Sequence, residues 1–247
     1  MLDKMNKFDT DFVKFTEKIK NGENFAYGRY ADGEVMLMNG VSVGRRTQAY
    51  EIDKWSSPSV ITKVGYELLE SLTHTEPNYY YAIASDSVSD YNFLIEKIKT
   101  KKENITFSNL WINNNYKKMK SFYESIDRDI ILICNHKAEE KNFPFNVSKL
   151  YKFPDDCINF WELEGENYMS NLINDITKIK NKTFFISCGP VSEIIIHKLF
   201  DSNQENQYID VGSSLDEYIH GWKTRPYMND DSEYSSMISD FPIKFYE

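Results

Sequence analysis

The sequence is poor in the residues that characterise disulfide-rich, zinc-binding or membrane proteins. Its 247 residues include three cysteines and four histidines. The cysteines, Cys134, Cys157 and Cys188, lie too far apart to match a zinc-ligand spacing. The longest strongly apolar run is the five-residue segment IILIC at Ile130, whereas a membrane-spanning helix needs about 20 apolar residues. With no signal-peptide pattern at the N-terminus, these features predict a soluble, cytoplasmic protein without a transmembrane segment.

Positive charge, proline and glycine are also scarce. The chain has 29 Lys and Arg against 38 Asp and Glu, which gives a net charge of -9. Nucleic-acid binders gather basic residues to neutralise phosphates, so this balance predicts no nucleic-acid partner. Seven prolines and ten glycines form no linker-like stretch, and we therefore expect one domain over residues 1–247. The sequence does not specify an oligomeric state.

What the sequence does contain is an alternation of apolar strands and amphipathic helices. Phe12, Phe15 and Ile19 recur at helical spacing and precede the strand-like segment FAYGRY. Later strand-like segments, separated by helical patterns, are NYYYAIAS, ITFSN, DIILICN, TFFISCG and YIDVG. Near-continuous apolar strands between amphipathic helices are typical of parallel sheets covered on both faces. The pattern predicts a three-layer α/β sandwich with a mostly parallel, Rossmann-like sheet.

Ligands of such sheets bind at the carboxyl ends of the strands, so the residues that follow each strand are the candidates for function. Five short segments meet this criterion: ADGE, SDS, CNH, CGP and VGSSLDEY.

The segment ADGE places two carboxylates, Asp32 and Glu34, on either side of Gly33. Two carboxylates can hold Mg²⁺ or Mn²⁺, which take their other ligands from water and substrate phosphate. The alternative is that Asp32 caps a helix and Glu34 lies favourably in its first turn. Arg29, just upstream, is either a phosphate partner or one half of a salt bridge.

The segment SCGP joins a buried strand directly to a helix. Amide groups at a helix N-terminus attract phosphate, Gly189 permits close approach, and Pro190 suits the first turn. A plain strand-to-helix connection is the alternative. Cys188 has no histidine beside it in the sequence, so we expect a small core residue there and not a nucleophile.

The segment YIDVGSSLDEYIHG ends a strand at Asp210, turns at Gly212 and opens a helix. Three residues of that helix are candidates for a general base toward an incoming hydroxyl: Asp216, Glu217 and His220. The alternative is a capping box between Ser214 and Glu217. His197, on an earlier helix beside isoleucines, is expected to be structural.

Together these segments resemble the GT-D type glycosyltransferases, the family also known as domain of unknown function 1792. The resemblance runs from residue 25 to residue 220 and is carried by YGRYADGE, SNLWINNNY, ISCGPVSEIIIHKLF and YIDVGSSLDEY. The resemblance implies that Asp32 and Glu34 form an Asp-x-Glu metal motif and that Gly189 and Pro190 form a turn near phosphate. It also matches Glu217 and Tyr218 to the family's C-terminal acidic pair.

The sequence departs from the family pattern at two places. Ala31 stands where a glycine is common, and Ser213 to Leu215 stand where a histidine is common. The catalytic base therefore stays open among Asp216, Glu217 and His220. Asn109 and Trp111 are candidates for sugar or base contacts, although the start of an amphipathic helix explains them as well.

The resemblance, together with the carboxylates of Asp32 and Glu34, thus implies a metal-dependent glycosyltransferase that uses Mn²⁺ or Mg²⁺. The donor is expected to be a nucleotide diphosphate sugar, with UDP as the nucleotide, and to contact Arg29, Asn109, Gly189, Pro190, Asp210 and Gly212. The sequence leaves the acceptor open among a glycan, a glycoprotein, a lipid-linked sugar and a smaller metabolite, and we expect a hydroxyl of that acceptor to receive the sugar. The alternatives are a methyltransferase using S-adenosylmethionine, although no Gly-x-Gly-x-x-Gly follows an early strand, a metal-dependent phosphoesterase, or a nucleotide-binding module without turnover.

Overall fold

The computed structural model describes residues 2–41, 43–44, 54–55, 62–84 and 87–236. They form these helices and strands in chain order: α1 Leu2–Asn21, β1 Phe25–Tyr30, α2 Asp32–Met38, β2 Val43–Gly44, β3 Lys54–Trp55, α3 Lys63–Glu70, β4 Tyr79–Ile83, α4 Val88–Lys97, β5 Ile105–Phe107, α5 Tyr116–Glu124, β6 Ile130–Asn135, β7 Val147–Phe153, α6 Cys157–Ile176, β8 Thr183–Ser187, α7 Ser192–Ser202, β9 Gln207–Asp210 and α8 Asp216–His220.

Seven strands form one sheet in the order β5-β4-β1-β9-β8-β6-β7. Every neighbouring pair in this sheet is parallel. The strands β2 and β3 form a separate antiparallel pair. The predicted α/β fold with a mostly parallel sheet is therefore confirmed.

Helices cover both faces of the sheet, and two neighbouring tyrosines of β4 show how. Phe15 of α1 packs edge to face on Tyr80, with ring centroids 4.9 Å apart. Phe200 of α7 packs in the same way on Tyr79, at 5.2 Å. Successive strand residues point to opposite faces, so α1 and α7 lie on opposite sides of the sheet. This arrangement explains why the central strands are apolar at nearly every position.

The strand β7 was missed by the sequence pattern. It lies at the edge of the sheet, where β6 is its one partner among the described strands. Its sequence VSKLYKF is largely exposed or half-buried until the buried Phe153. An edge strand with one solvated side does not need a continuous apolar run, and so it leaves little trace in the hydrophobic pattern.

None of the described helices combines the length and the apolar composition that crossing a bilayer requires.

Candidate functional site

A cleft opens at the carboxyl edge of the sheet. Its lining includes the last residues of four strands, Asn135 of β6, Phe153 of β7, Ser187 of β8 and Asp210 of β9, together with Arg29 near the end of β1. The described residues enclose about 100 Å³ there. From β8 the chain continues to β9 on one side, whereas from β6, the other neighbour of β8 in the sheet, it continues to β7 on the opposite side. The cleft therefore lies where the strand order reverses, which is the usual ligand position in open parallel sheets.

Arg29 and Asp210 form an ion pair on the floor of this cleft. The Arg29 Nε atom lies 3.1 Å from Asp210 Oδ2, and the two side chains are 18% and 3% exposed. Asp210 Oδ1 accepts a second hydrogen bond, 2.7 Å long, from the Gly212 amide. Burial works to lower the pKa of Arg29, but the carboxylates of Asp210, Glu34 and Glu193 outweigh it and raise that pKa. The guanidinium is therefore a permanent buried cation.

Gly212 is required by its backbone and by its neighbour. Its φ of +53° lies in the left-handed region, and a Cβ at this position would lie 2.8 Å from the guanidinium of Arg29. Ser187 donates a 3.0 Å hydrogen bond to the Gly212 carbonyl, which ties this turn to β8. The turn after β9 thus packs directly on the buried cation.

Glu193 is a buried acidic neighbour of this pair that the sequence analysis did not select. It lies in the first turn of α7, is fully buried, and accepts a 3.2 Å hydrogen bond from the Arg29 amide. Burial, together with the carboxylates of Asp210 and Glu34, raises the pKa of Glu193 well above its usual range. Both causes favour the uncharged, protonated form of this carboxyl. Its one sequence signal, an acid in a first helical turn, is too common to single it out.

Asp32 and Glu34 begin helix α2 and have different surroundings. Asp32 is exposed, whereas Glu34 is 7% exposed and its Oε2 accepts a 2.7 Å hydrogen bond from the Ala31 amide. Ala31, and not Asp32, occupies the N-cap position. Burial raises the pKa of Glu34, although the charge of Arg29 opposes this shift. Among the residues that the structure describes, neither Asp32 nor Glu34 belongs to a group of three His, Cys, Asp or Glu ligands, and neither lines the cleft. Their metal role stays a prediction.

The SCGP segment forms the turn between β8 and α7. Gly189 has a φ of +58°, is exposed and lines the cleft, whereas Pro190 is buried behind it. The Cys188 amide donates to Ser192 Oγ at 2.9 Å. Burial raises the pKa of the Cys188 thiol well above its usual range, which agrees with the expected core role. The turn thus brings Gly189 to the cleft at the start of α7.

The three candidate bases do not share one cavity. Asp216 and His220, one turn apart on α8, both line the cleft. Glu217 lines a second cavity, where it accepts hydrogen bonds from Tyr116 Oη at 2.8 Å and from Lys120 Nζ at 2.9 Å. Burial works to raise the pKa of Glu217, but these two bonds lower it. The structure therefore separates Glu217 from the other two candidates.

The structure also shows the partners of Asp216 and of Ser214. Asp216 Oδ2 accepts a 2.6 Å hydrogen bond from Thr224 and lies 3.7 Å from Arg225 Nε. The capping box between Ser214 and Glu217 does not form, since Leu215 is the N-cap and Ser214 Oγ donates to the Val211 carbonyl.

The remaining candidate segments are distributed along the same edge. Asn135, from CNH, lines the cleft and donates to Asp155 at 2.5 Å. Asn109 follows β5, is buried outside the cleft lining, and has no described hydrogen-bond partner for either polar atom of its side chain. Trp111 packs in the aromatic core against Tyr27. Ser85 and Asp86, from SDS, lie outside the described residues.

No family model and no curated protein matches this chain. Solved structures do match. A selenomethionine-substituted structure of the domain of unknown function 1792 is 14% identical, with a TM-score of 0.55, covering 95% of this chain and 91% of the other. A second structure, in which the domain of unknown function 1792 is described as having a distinct glycosyltransferase fold, is 14% identical over the same shares, with a TM-score of 0.51. The chain therefore has the fold of the domain of unknown function 1792, as its sequence segments predicted.

Proposed function

We propose that this protein is a metal-dependent glycosyltransferase that moves a sugar from a nucleotide diphosphate sugar, with UDP as the nucleotide, to an acceptor hydroxyl. The observation that carries the proposal is the buried cation of Arg29 at the carboxyl edge of the sheet, beside the exposed turn at Gly189. The similarity to a fold described as a glycosyltransferase fold supports the same conclusion. The acceptor belongs to a surface glycan, a glycoprotein glycan or a lipid-linked sugar.

The cleft suits the diphosphate part of such a donor. Typical ligand pockets hold about 300–1,000 Å³, whereas the described residues enclose about 100 Å³. That volume is closer to a phosphate group than to a whole nucleotide sugar. Gly189 exposes backbone at the start of the eleven-residue helix α7, where the helix dipole favours negative charge. We place the phosphates there, between this turn and the guanidinium of Arg29.

Asp32 and Glu34 fit a hard divalent cation of the Mg²⁺ or Mn²⁺ type. Asp32 offers an exposed carboxylate at the end of β1, and Glu34 follows within the first turn of α2. Two carboxylates suffice because these cations take their other ligands from water and phosphate. When bound, the cation would supply countercharge to the departing diphosphate.

His220 is our candidate for the group that accepts the proton of the acceptor hydroxyl. It lines the cleft, and histidine is the side chain that most often serves as a general base. Asp216 also lines the cleft, but its carboxylate is already bonded to Thr224 and close to Arg225. Glu217 faces the second cavity. A base is needed for direct displacement with inversion, so this assignment implies an inverting reaction.

Thermal unfolding with added ligands tests the proposal. UDP, GDP, CDP and S-adenosylmethionine are each added with and without Mn²⁺. We expect a nucleoside diphosphate to raise the melting temperature only in the presence of Mn²⁺, because a ligand that binds the folded state stabilises it. The Asp32→Asn variant should lose this shift, whereas Asp9→Asn, which alters an exposed carboxylate on α1, should keep it.

Two other results would contradict the proposed function and support one of the alternatives. A rise with S-adenosylmethionine alone would support the methyltransferase. A shift with a nucleoside diphosphate, but no hydrolysis or transfer of the corresponding nucleotide sugar, would support a nucleotide-binding module.

A further inference from the structure

A group of metal-ligating side chains lies near the amino ends of the strands, whereas the cleft lies at their carboxyl ends. Helix α7 starts at the carboxyl edge, after β8, and ends before β9 at the amino edge. His197 and Asp201 lie one turn apart in its second half, and His74 precedes β4. One ligand atom from each of the three lies within 4.8 Å of the others, and this is the one such group of three among the described residues.

The two imidazoles meet nitrogen to nitrogen. His197 Nδ1 lies 2.7 Å from His74 Nε2. The other nitrogen of His74, Nδ1, lies 3.1 Å from Glu76 Oε2. Since a carboxylate accepts hydrogen bonds, this contact favours the tautomer with the proton on Nδ1 and leaves a lone pair on Nε2. The lone pair of His74 is therefore aimed at His197.

The surrounding side chains fix the His74 ring. It is 5% exposed and stacks on Tyr79, with centroids 4.0 Å apart and planes 24° apart. Phe200 packs on it edge to face at 5.2 Å. The position of the ring is thus set by packing before any ligand binds, which lowers the entropy lost on binding.

Asp201 approaches both imidazoles. Its Oδ1 lies 3.8 Å from His74 Nε2, and its Oδ2 lies 3.6 Å from His197 Nε2. A hydrogen bond between two histidines does not by itself require a carboxylate beside both rings. The Asp201 side chain is 56% exposed, so one side of the group is open to solvent.

We propose that His74, His197 and Asp201 bind one Zn²⁺ ion. Two imidazoles and one carboxylate are a set that zinc accepts, with water in the fourth position. Zinc-to-nitrogen distances of about 2.0–2.1 Å in a tetrahedral site require the two nitrogens to open by roughly half an ångström from their hydrogen-bonded spacing.

Glu76 has the position of an orienting partner for this ion. It contacts the His74 nitrogen opposite the ligating one, and a carboxylate in that place fixes the ring and strengthens the ligand. The ion would join helix α7 to the segment before β4, two parts of the chain separated by 123 residues. The site is independent of the proposed transfer reaction, since it lies at the other edge of the sheet.

Zinc binding to the full chain tests the proposal. The protein is stripped with a chelator and titrated with Zn²⁺ against a chromophoric competitor, and the bound metal is counted by atomic absorption. We expect one tight ion per chain. At a free Zn²⁺ concentration of 100 times Kd, the melting temperature should rise by roughly 5–10 °C. Substitution by Co²⁺ should give the intense visible bands of a tetrahedral ion.

Three variants and one control assign the ligands. His197→Gln should lose the tight ion, and the surface variant Asp201→Asn should weaken it and alter the Co²⁺ spectrum. Glu76→Gln should lower the affinity by about 10–100-fold. His136→Gln, which changes an exposed histidine of the β6–β7 connection, should bind like the parent chain. The proposal is overturned if the parent chain binds no tight Zn²⁺, or if His197→Gln and Asp201→Asn bind it as tightly as His136→Gln.

Discussion

Arg29 and Asp210 pair across the two neighbouring strands β1 and β9 although 181 residues separate them in the chain. Their 3.1 Å contact is the floor of the candidate site. The site therefore exists only when the last strand of the sheet has joined the first.

Loss of the anion in this pair should strongly destabilise the protein. Asp210→Asn keeps the shape of the side chain but leaves the Arg29 cation buried without its partner. Removal of one member of a buried ion pair costs about 3–5 kcal/mol, and we expect a loss of this size in the free energy of unfolding, measured with urea. Asp175→Asn, which breaks an exposed pair with Lys149, is the matched control and should have little effect. Equal losses in the two variants would contradict a special role for the buried pair.

Glu193 should make stability fall as pH rises. Its pKa in the folded protein is raised above the ordinary value of 4.5, so between these two pKa values the folded state holds a proton that the unfolded state has released. The stabilisation is complete below pH 4.5 and is lost as pH rises toward the folded pKa, by at most about 1.4 kcal/mol per pH unit.

The Glu193→Gln variant isolates this effect. Glutamine mimics the protonated carboxyl and does not titrate, so the free energy of unfolding of the variant relative to the parent should increase from pH 5 to pH 8. The pKa of Glu34 is also raised, and Glu34 interacts with Glu193. The double variant Glu34→Gln/Glu193→Gln is therefore compared with Glu34→Gln in the same way. A difference that does not change with pH would show that Glu193 is not protonated in the folded protein.

Gly212 and Gly221 form a matched pair for the packing of the turn on Arg29. Both have positive φ, +53° and +75°, but only at Gly212 would a Cβ meet another group, at 2.8 Å from Arg29, whereas nothing lies within 4 Å at Gly221. Gly221→Ala should cost about 1 kcal/mol of backbone strain. Gly212→Ala should cost more, because the guanidinium must also move. Denaturation of the two variants measures the difference, and equal costs would mean that the contact with Arg29 is easily relieved.

The two cavities around α8 predict different kinetic effects for residues close together in the sequence. If His220 accepts the acceptor proton, His220→Asn should lower kcat by about 10²–10⁴-fold. Glu217→Gln removes a carboxylate that faces the second cavity, and kcat should change much less. Rates of sugar transfer from the donor identified by thermal unfolding provide the measurement. A larger loss of kcat in Glu217→Gln than in His220→Asn would move the base to the second cavity.

The positions of the central strands and of the helices between them could be predicted because a strand that is buried on both faces is a nearly continuous run of apolar residues. FFI of β8 and IILIC of β6 are apolar throughout and are buried at every position. The edge strand β7 has no such apolar run because most of its residues are exposed or half-buried. The candidate residues could be selected by a second rule, that ligands of parallel sheets bind at the carboxyl ends of the strands.

The sequence alone determined the alternation of strand and helix, and with it a parallel sheet whose loops meet at one edge. The tertiary structure decided which of those loops meet. In the folded protein Arg29 pairs with Asp210, and Glu193 lies beside them. Glu217 faces a different cavity from Asp216, its neighbour in the chain. The physical reason is that strand order is set by packing between distant segments. Neighbouring helix residues point about 100° apart, but the distant segments that pack around the helix decide which cavity each residue faces.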